Sequence, residues 1–221
     1  MNSAIKAFGK SILVIIWFYA CSFVVNNSVA LFCGNEVAYA QFMKEHANLV
    51  NIGVYLLIFL GIFLIDRERK TFSHSFKQLH LKNIVSYLLM GVGAYIIGLI
   101  ITNLLIGFFP EYHEIENSFN QYEPILRFFA MVILPALTEE YLFRYKIQGY
   151  LKEGFGDIIA IIGQALLFGM LHYYIVQKVY AVVLGLLFGY LKEKKGTIQC
   201  SIWMHMTVNG LGWLAGYFLM R

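Results

Sequence analysis

Two adjacent glutamates and an arginine interrupt an apolar stretch near the centre of the chain. The segment reads Leu-Thr-Glu-Glu-Tyr-Leu-Phe-Arg over residues 137–144. In a helix, Glu140 and Arg144 lie four residues apart on one face and can form an ion pair, which offsets the cost of burying both charges. Glu139 points about 100° away from that face, so it needs a partner on another helix or a bound proton. A carboxylate in this position is suited to act as a general base.

Two histidines lie in later apolar stretches, each with a companion residue about one helical turn away. Phe168 precedes His172 by four residues, and Asn209 follows His205 by four. Neither histidine has an acidic residue nearby in sequence. Each set has an ordinary structural reading: a helix–helix hydrogen bond for a histidine, and an ion pair or a transport relay for the segment 139–144. Polar groups on three helices are each costly inside a bilayer, however, so we expect them to converge on one site.

The stretches that carry these residues are long and apolar enough to cross a membrane. Apolar residues make up 59% of the 221 residues and charged residues 14%, and the mean hydropathy is +0.65. A soluble domain of this size cannot bury so much apolar surface, which argues against a soluble enzyme, a disordered chain or a nucleic-acid-binding protein. A spanning helix needs about 20 apolar residues. Seven stretches meet or approach that length: 11–33, 48–65, 84–109, 125–146, 158–174, 178–191 and 198–219.

The distribution of charge predicts how these spans are oriented. With the N-terminus inside, the inner loops hold twelve lysines and arginines and the outer side holds four, in agreement with the positive-inside rule. The predicted fold is an all-α polytopic transmembrane helical bundle of about seven spans, with residues 1–221 as a single integral membrane domain. We interpret the first stretch as a retained anchor, although Ser28-Val29-Ala30 also resembles the cleavage site of a signal peptide.

Taken together, the polar motifs resemble those of the CPBP family of intramembrane proteases. This family includes the eukaryotic CAAX prenyl endopeptidases and many bacterial bacteriocin-immunity (Abi) and peptide-processing proteins. The resemblance rests on three motifs, Glu139-Glu140-Tyr-Leu-Phe-Arg144, Phe168-Gly-Met-Leu-His172 and His205-Met-Thr-Val-Asn209. Each motif is weak alone, but the ordered set on separate helices is fairly specific. The resemblance covers residues 125–213 and implies a catalytic core there, whereas the first three spans contain no motif of the family.

The resemblance implies a role for each of these residues. Glu139 matches the family's general base, which acts with His172 on the attacking water. His205 and Asn209 match the residues that stabilise the oxyanion. Supporting positions are matched by Glu140, Arg144 and Phe168.

The resemblance leaves a mechanism with a metal and a mechanism without one both open. Members of the family are often called metalloproteases, and His172, His205 and Glu139 form an ordinary ligand set for zinc. The same glutamate and first histidine can instead polarise water directly, while the second histidine and an asparagine donate to the oxyanion. The zinc-protease motif HExxH is absent, because His113-Glu114 lacks the second histidine.

Other classes of membrane protein remain as alternatives. An aspartyl protease of the presenilin type needs two membrane aspartates, one of them in a GxGD motif. Residues 154–157 match that motif, but Asp157 and Asp66 both lie at predicted interfaces. A rhomboid serine protease needs GxSG, which is absent. The stronger alternatives are a non-catalytic immunity or regulatory protein that binds a peptide or a partner membrane protein, and a small transporter.

We therefore predict an intramembrane endopeptidase whose partners are the lipid bilayer and a membrane-associated protein or peptide. The compact chain favours a multi-pass protein of a bacterial cytoplasmic membrane, and hence substrates such as bacteriocins or signalling precursors. We expect the polar site to open toward the inner side, with Glu139 and His205 about 10 Å from the inner ends of their spans. His172, about 21 Å from the start of its span at Ile158, fits that depth only if the fifth helix begins inside the membrane or if the predicted span ends are misplaced.

Overall fold

Helices form nearly all of the described chain. The computed structural model describes residues 3–65, 81–109 and 124–219, and in these ranges the chain forms seven helices and no strand. The predicted all-α membrane helical bundle is thereby confirmed. The helices are α1 (Ser3–Cys33), α2 (Glu36–Ile65), α3 (Leu81–Ile106), α4 (124–155), α5 (Asp157–Met170), α6 (Ile175–Lys195) and α7 (Gln199–Leu219).

In the described ranges, four helices have the length and the apolar composition needed to cross a membrane: α1, α2, α3 and α6. The helices of the other three predicted spans differ from these four in three ways. Helix α5 has only 14 residues, α4 contains two π-helical segments, and α7 carries the polar pair His205 and Asn209. The protein is therefore a multi-pass membrane protein in which the least lipid-like helices are those that carry the polar motifs.

Helix α4 lies at the centre of the bundle. Its two π-helical segments are Phe129–Ile133 and Tyr141–Ile147, and segments of this kind are frequent at functional sites. Pro135 has no N–H to donate to the carbonyl of Met131 four residues earlier, and the first π-helical segment includes that carbonyl. The second segment follows Glu140 directly.

Helix α4 continues beyond residue 146, the predicted end of the fourth span, and ends at Phe155. Lys146 lies inside this helix. Its side chain is buried, and its ammonium group lies 5.2 Å from the ring centroid of Tyr145 and 5.8 Å from that of Tyr150. Cation–π contacts of this kind replace part of the lost hydration of a lysine.

A cluster of ion pairs marks the end of α4 and its junction with α5 and α6. The chain turns at Gly156, whose φ of +82° favours glycine. Lys152 lies 2.8 Å from Asp157 of α5 and 2.6 Å from Glu193 of α6. The hydrogen bond with Asp157, followed by that with Glu193, raises the pKa of Lys152 above its ordinary value, so this lysine stays charged throughout the neutral range.

Helices α1 and α2 pack together beside α4. The indole of Trp17 donates a hydrogen bond to the carbonyl of Ile58 at 3.2 Å. It lies directly over Gly61, where a Cβ atom would overlap the ring. Helix α1 also contacts the end of α4, where Ala7 lies against Gly154. These close contacts fix α2 at one position along α4.

The longer α4 places the predicted site residues at a common depth. Glu139 lies 16 residues before the end of α4 and His172 lies 15 residues after the start of α5, so both are about 22–24 Å from that end of the bundle. His205 of α7 lies at the same level, because its Nδ1 is 2.8 Å from Glu140 Oε1. The predicted difference in depth between Glu139 and His172 is therefore absent when both are measured from the turn between α4 and α5.

Candidate active site

Glu140 and Arg144 form a fully buried ion pair at the centre of the bundle. Arg144 Nη1 lies 3.0 Å from Glu140 Oε1, and neither side chain is exposed. The guanidinium group also lies over the rings of Phe168 and Phe188, 4.3 and 5.4 Å from their centroids. Phe168 therefore covers the arginine through a cation–π contact, and the pair connects α4 with α5 and α6.

His205 of α7 lies between the two glutamates. Its Nδ1 is 2.8 Å from Glu140 Oε1, and its Nε2 is 3.9 Å from Glu139 Oε2. Because the carboxylate paired with Arg144 can only accept, Nδ1–H donates to it. The neutral imidazole then presents the lone pair of Nε2 toward Glu139. The distance of 3.9 Å is too long for a hydrogen bond, so Nε2 and Oε2 do not hydrogen-bond to each other.

Glu139 finds its hydrogen-bond donor on α2. The hydroxyl group of Tyr55 donates to Glu139 Oε1 at 2.6 Å, and the glutamate is only 7% exposed. Sequence reasoning did not identify Tyr55, because the second span contains no motif and nothing in the sequence sets this residue apart from the other 14 tyrosines. The partner that the sequence predicts for Glu139 on another helix is therefore Tyr55 of α2. His205 of α7 faces the other carboxylate oxygen at 3.9 Å.

The cluster combines two carboxylates with one cation. Arg144 is paired with Glu140, which leaves the carboxylate of Glu139 as the group available to accept a proton from a bound water.

His172 lies in the connection between α5 and α6, directly beyond the end of α5. Its Nδ1 is 3.2 Å from the carbonyl oxygen of Phe168. If Nδ1–H donates to that carbonyl, Nε2 is left as an acceptor. The Phe168 ring centroid lies 5.2 Å from that of His172 and 6.0 Å from that of His205, so the two imidazoles flank one phenyl ring. Glu139 is close enough to interact electrostatically with His172.

Asn209 connects α7 to the N-terminal half of α4. Its Nδ2 donates a hydrogen bond to the carbonyl of Met131 at 2.9 Å. This is the carbonyl to which Pro135, without an N–H, cannot donate. Sequence reasoning did not foresee this bond, although Pro135 was an available signal. The side-chain amide is only partly buried and has a second N–H that this bond does not use. The oxyanion role implied for Asn209 stays a prediction.

If Asn209 donates to the oxyanion, Asn209→Ala should lower kcat by about 10²–10³-fold, the usual effect of removing one such donor. Asn103→Ala is the matched control, because Asn103 also donates to a backbone carbonyl, that of Leu99 at 2.9 Å, but on the exposed face of α3. Rates of peptide cleavage by the two purified variants check this. A wild-type kcat for Asn209→Ala would show that this residue only links two helices.

Zinc is the metal that the resemblance implies for such a site. Two ligands of one tetrahedral zinc lie about 3.4 Å apart, given bonds of about 2.0–2.2 Å, whereas His205 Nε2 and Glu139 Oε2 are 3.9 Å apart. In the ranges that the structure describes, no three His, Cys, Asp or Glu side chains are grouped closely enough to hold one ion. The present arrangement of donors therefore does not fit zinc.

The aspartates proposed for an aspartyl protease are not grouped in the described part of the chain. Asp157 lies at the end of the bundle, where its side chain is 58% exposed and paired with Lys152. Asp66 and the segment His113-Glu114 lie outside the described residues. Asp157 therefore has the surroundings of a surface ion pair.

The helices that build the site match a known protein family. Residues 121–211 match the family described as type II CAAX prenyl endopeptidase Rce1-like. No curated protein and no solved structure matches the chain. The matched residues include the whole of α5 and α6 and all three polar motifs, whereas α1 to α3 lie outside them. Over residues 121–211 the chain is therefore similar to the Rce1-like family of type II CAAX prenyl endopeptidases.

Proposed function

We propose that this protein is an intramembrane endopeptidase that hydrolyses a peptide bond by direct attack of water. Its substrate is a membrane-associated protein or peptide. The observation that supports this most strongly is the position of Glu139 Oε2, 3.9 Å from His205 Nε2, in a buried cluster within the family-matching helices. Amide hydrolysis needs a base for the water and donors for the oxyanion and the leaving amine. Glu139, His205 and Asn209 are groups of these types.

In the first step, Glu139 Oε2 accepts a proton from the attacking water. As the water oxygen attacks the carbonyl carbon, the negative charge moves from Glu139 to the oxyanion, so the net charge of the site stays the same. Nε2 of His172 accepts the other hydrogen of the same water and orients its oxygen toward the scissile carbonyl. Holding the nucleophile in this way converts an encounter of two molecules into a reaction within one complex.

In the second step, the tetrahedral intermediate forms and collapses. The second N–H of Asn209 donates to the oxyanion. Glu139 Oε2 and His205 Nε2 are 3.9 Å apart in this structure and approach to hydrogen-bond distance in the substrate complex, as catalytic pairs commonly do. The proton taken from water then passes from Glu139 to Nε2, which becomes a donor, while Glu140 at Nδ1 stabilises the imidazolium. His205 can thus stabilise the oxyanion and protonate the leaving nitrogen as the C–N bond breaks. Water supplies oxygen to the new carboxyl group and hydrogen to the new amine, so the reaction is balanced without a covalent enzyme intermediate.

Because the base and the donors are side chains in this mechanism, activity should survive exhaustive chelation. We also expect elemental analysis of the purified protein to find far less than one zinc per chain. Cleavage rates before and after chelation, with and without added zinc, provide the measurement. A stoichiometric metal whose removal abolishes activity and whose return restores it would contradict this mechanism.

The proposed function is tested with the purified full chain in proteoliposomes. Peptides are added in pairs that share one sequence, of which one member carries a prenyl group and the other does not. Products are identified by mass spectrometry. We expect cleavage at a defined internal bond, and comparison of the paired peptides shows whether the lipid group is recognised. Peptides that bind to the protein and stay intact would instead favour a non-catalytic immunity or regulatory protein.

A further inference from the structure

The helices that match the family do not contain every polar group of the site. Tyr55 lies on α2, 84 residues before Glu139 and outside the matched residues 121–211. We propose that Tyr55 is a positioning residue that orients the carboxylate of Glu139 for catalysis. This inference rests on the proposed function and assigns a part of the site to the N-terminal helices.

The hydrogen bond of Tyr55 leaves only one oxygen of Glu139 for the reaction. Tyr55 holds Oε1 at 2.6 Å, whereas Oε2 faces His205 Nε2 across 3.9 Å. A distance of 2.6 Å is in the range of strong O–H···O⁻ hydrogen bonds, which are about 2.5–2.7 Å long. The carboxylate therefore cannot rotate freely, and Oε2 stays directed at the space where the water must bind.

The charged and titratable groups around Glu139 do not replace this donor. Glu140 is an acceptor, and Arg144 is paired with it at 3.0 Å. His205 donates to Glu140 and lies too far from Glu139 for a hydrogen bond. The hydrogen bond that the structure shows for His172 is with the carbonyl oxygen of Phe168. Tyr55 is thus the residue in the described ranges for which the structure shows a hydrogen bond to Glu139.

Packing between α2 and α4 fixes the position of the Tyr55 hydroxyl group. Val54 and Ile58, on either side of Tyr55 in α2, are buried in the core. One turn further along, Phe59 packs against Tyr141 of α4 with ring centroids 5.6 Å apart. A donor on a helix that is fixed by packing can orient a catalytic group more accurately than a donor on a loop.

A structural tether and a positioning residue differ in the quantities they change. A tether between α2 and α4 changes the thermal stability of the protein and the amount of folded material. A residue that orients the base changes kcat, and it also changes the pH at which the base becomes protonated. A hydrogen bond to a carboxylate favours its charged form, so its loss should allow protonation at higher pH.

Tyr55→Phe is the variant that separates these roles. We expect kcat, normalised to the folded fraction from size-exclusion chromatography, to fall about 10- to 100-fold, since hydrogen bonds to charged groups contribute about 1.5–3 kcal/mol. We also expect KM to stay unchanged and the acidic limb of the pH–rate profile to move up by about one unit. Tyr39→Phe is the matched control, because Tyr39 also lies on α2 and its hydroxyl bonds Asn26 of α1 at 3.4 Å.

A second substitution covers the case in which Tyr55→Phe does not fold. Incorporation of 3,5-difluorotyrosine at position 55 keeps the ring and the hydroxyl group and makes that group a stronger donor. We expect this protein to stay active, with the acidic limb moved in the opposite direction, to lower pH. Wild-type kcat and an unshifted pH profile in the variants would overturn the role of Tyr55 while leaving the protease function intact. A wild-type protein without any cleavage activity would instead overturn the proposed function itself.

Discussion

Glu139→Gln is expected to lower kcat by about 10³–10⁴-fold and to leave the bundle folded. Loss of a general base typically costs about 10²–10⁴-fold in rate, and an amide nitrogen cannot take a proton from water. Folding should be preserved because glutamine keeps an oxygen for the hydroxyl group of Tyr55. The remaining ion pair of Glu140 with Arg144 is neutral by itself.

Initial rates of peptide cleavage in proteoliposomes measure this effect, and circular dichroism with size-exclusion chromatography checks the fold. Glu153→Gln is the matched control, because Glu153 also lies on α4 but is exposed, 4.0 Å from Lys10. We expect Glu153→Gln to keep wild-type rates. Full activity of Glu139→Gln would show that another group activates the water, and full cellular function without cleavage would favour a binding protein.

Arg144→Ala is expected to have the largest effect on folding. The change removes the arginine beside Glu140 and leaves the carboxylate with the hydrogen bond from His205 at a position without solvent exposure. The rings of Phe168 and Phe188 also lose the cation between them. Removal of one partner of a buried pair typically destabilises a protein by about 3–5 kcal/mol. The amount of folded protein in the membrane and its thermal unfolding in detergent are the measurements.

Two further variants test the physical reason for that loss. Lys152→Ala breaks an ion pair whose lysine is 45% exposed, and pairs of this kind contribute about 0–1 kcal/mol, so we expect a small effect. The double variant with Arg144→Ala and Glu140→Gln also removes the charge of residue 140 and should recover part of the lost stability. A wild-type yield of Arg144→Ala alone would contradict the assigned role of the pair.

The helices could be predicted from sequence because long apolar stretches have few alternatives in a bilayer. The end of α4 could not, since it depends on whether Lys146 reaches water or is buried beside Tyr145 and Tyr150. That outcome depends on tertiary packing that apolar periodicity does not encode. Because the sequence prediction ended the fourth span at residue 146, it assigned different depths to His172 and Glu139, whereas both lie about 15 residues from the turn between α4 and α5.

The candidate site could be predicted in part, because a buried charge is costly wherever it occurs. Its cost identifies Glu139 and Glu140 without knowledge of the fold, and the spacing of four residues predicts the pair with Arg144. The contact of His205 with Glu140 spans 65 residues, and that of Tyr55 with Glu139 spans 84. These contacts depend on how the helices pack, and a tyrosine in an apolar stretch gives no sign of such a contact.

Direct attack of water on the peptide bond is tested most sharply by the intact mass of the protein during turnover. The wild-type protein is incubated with a peptide that it cleaves, quenched with acid at intervals and analysed by mass spectrometry. Direct attack of water predicts that cleaved peptide accumulates while the mass of the protein stays unchanged at every time point. An acyl adduct on a serine, threonine or cysteine would contradict water activated by Glu139 as the nucleophile.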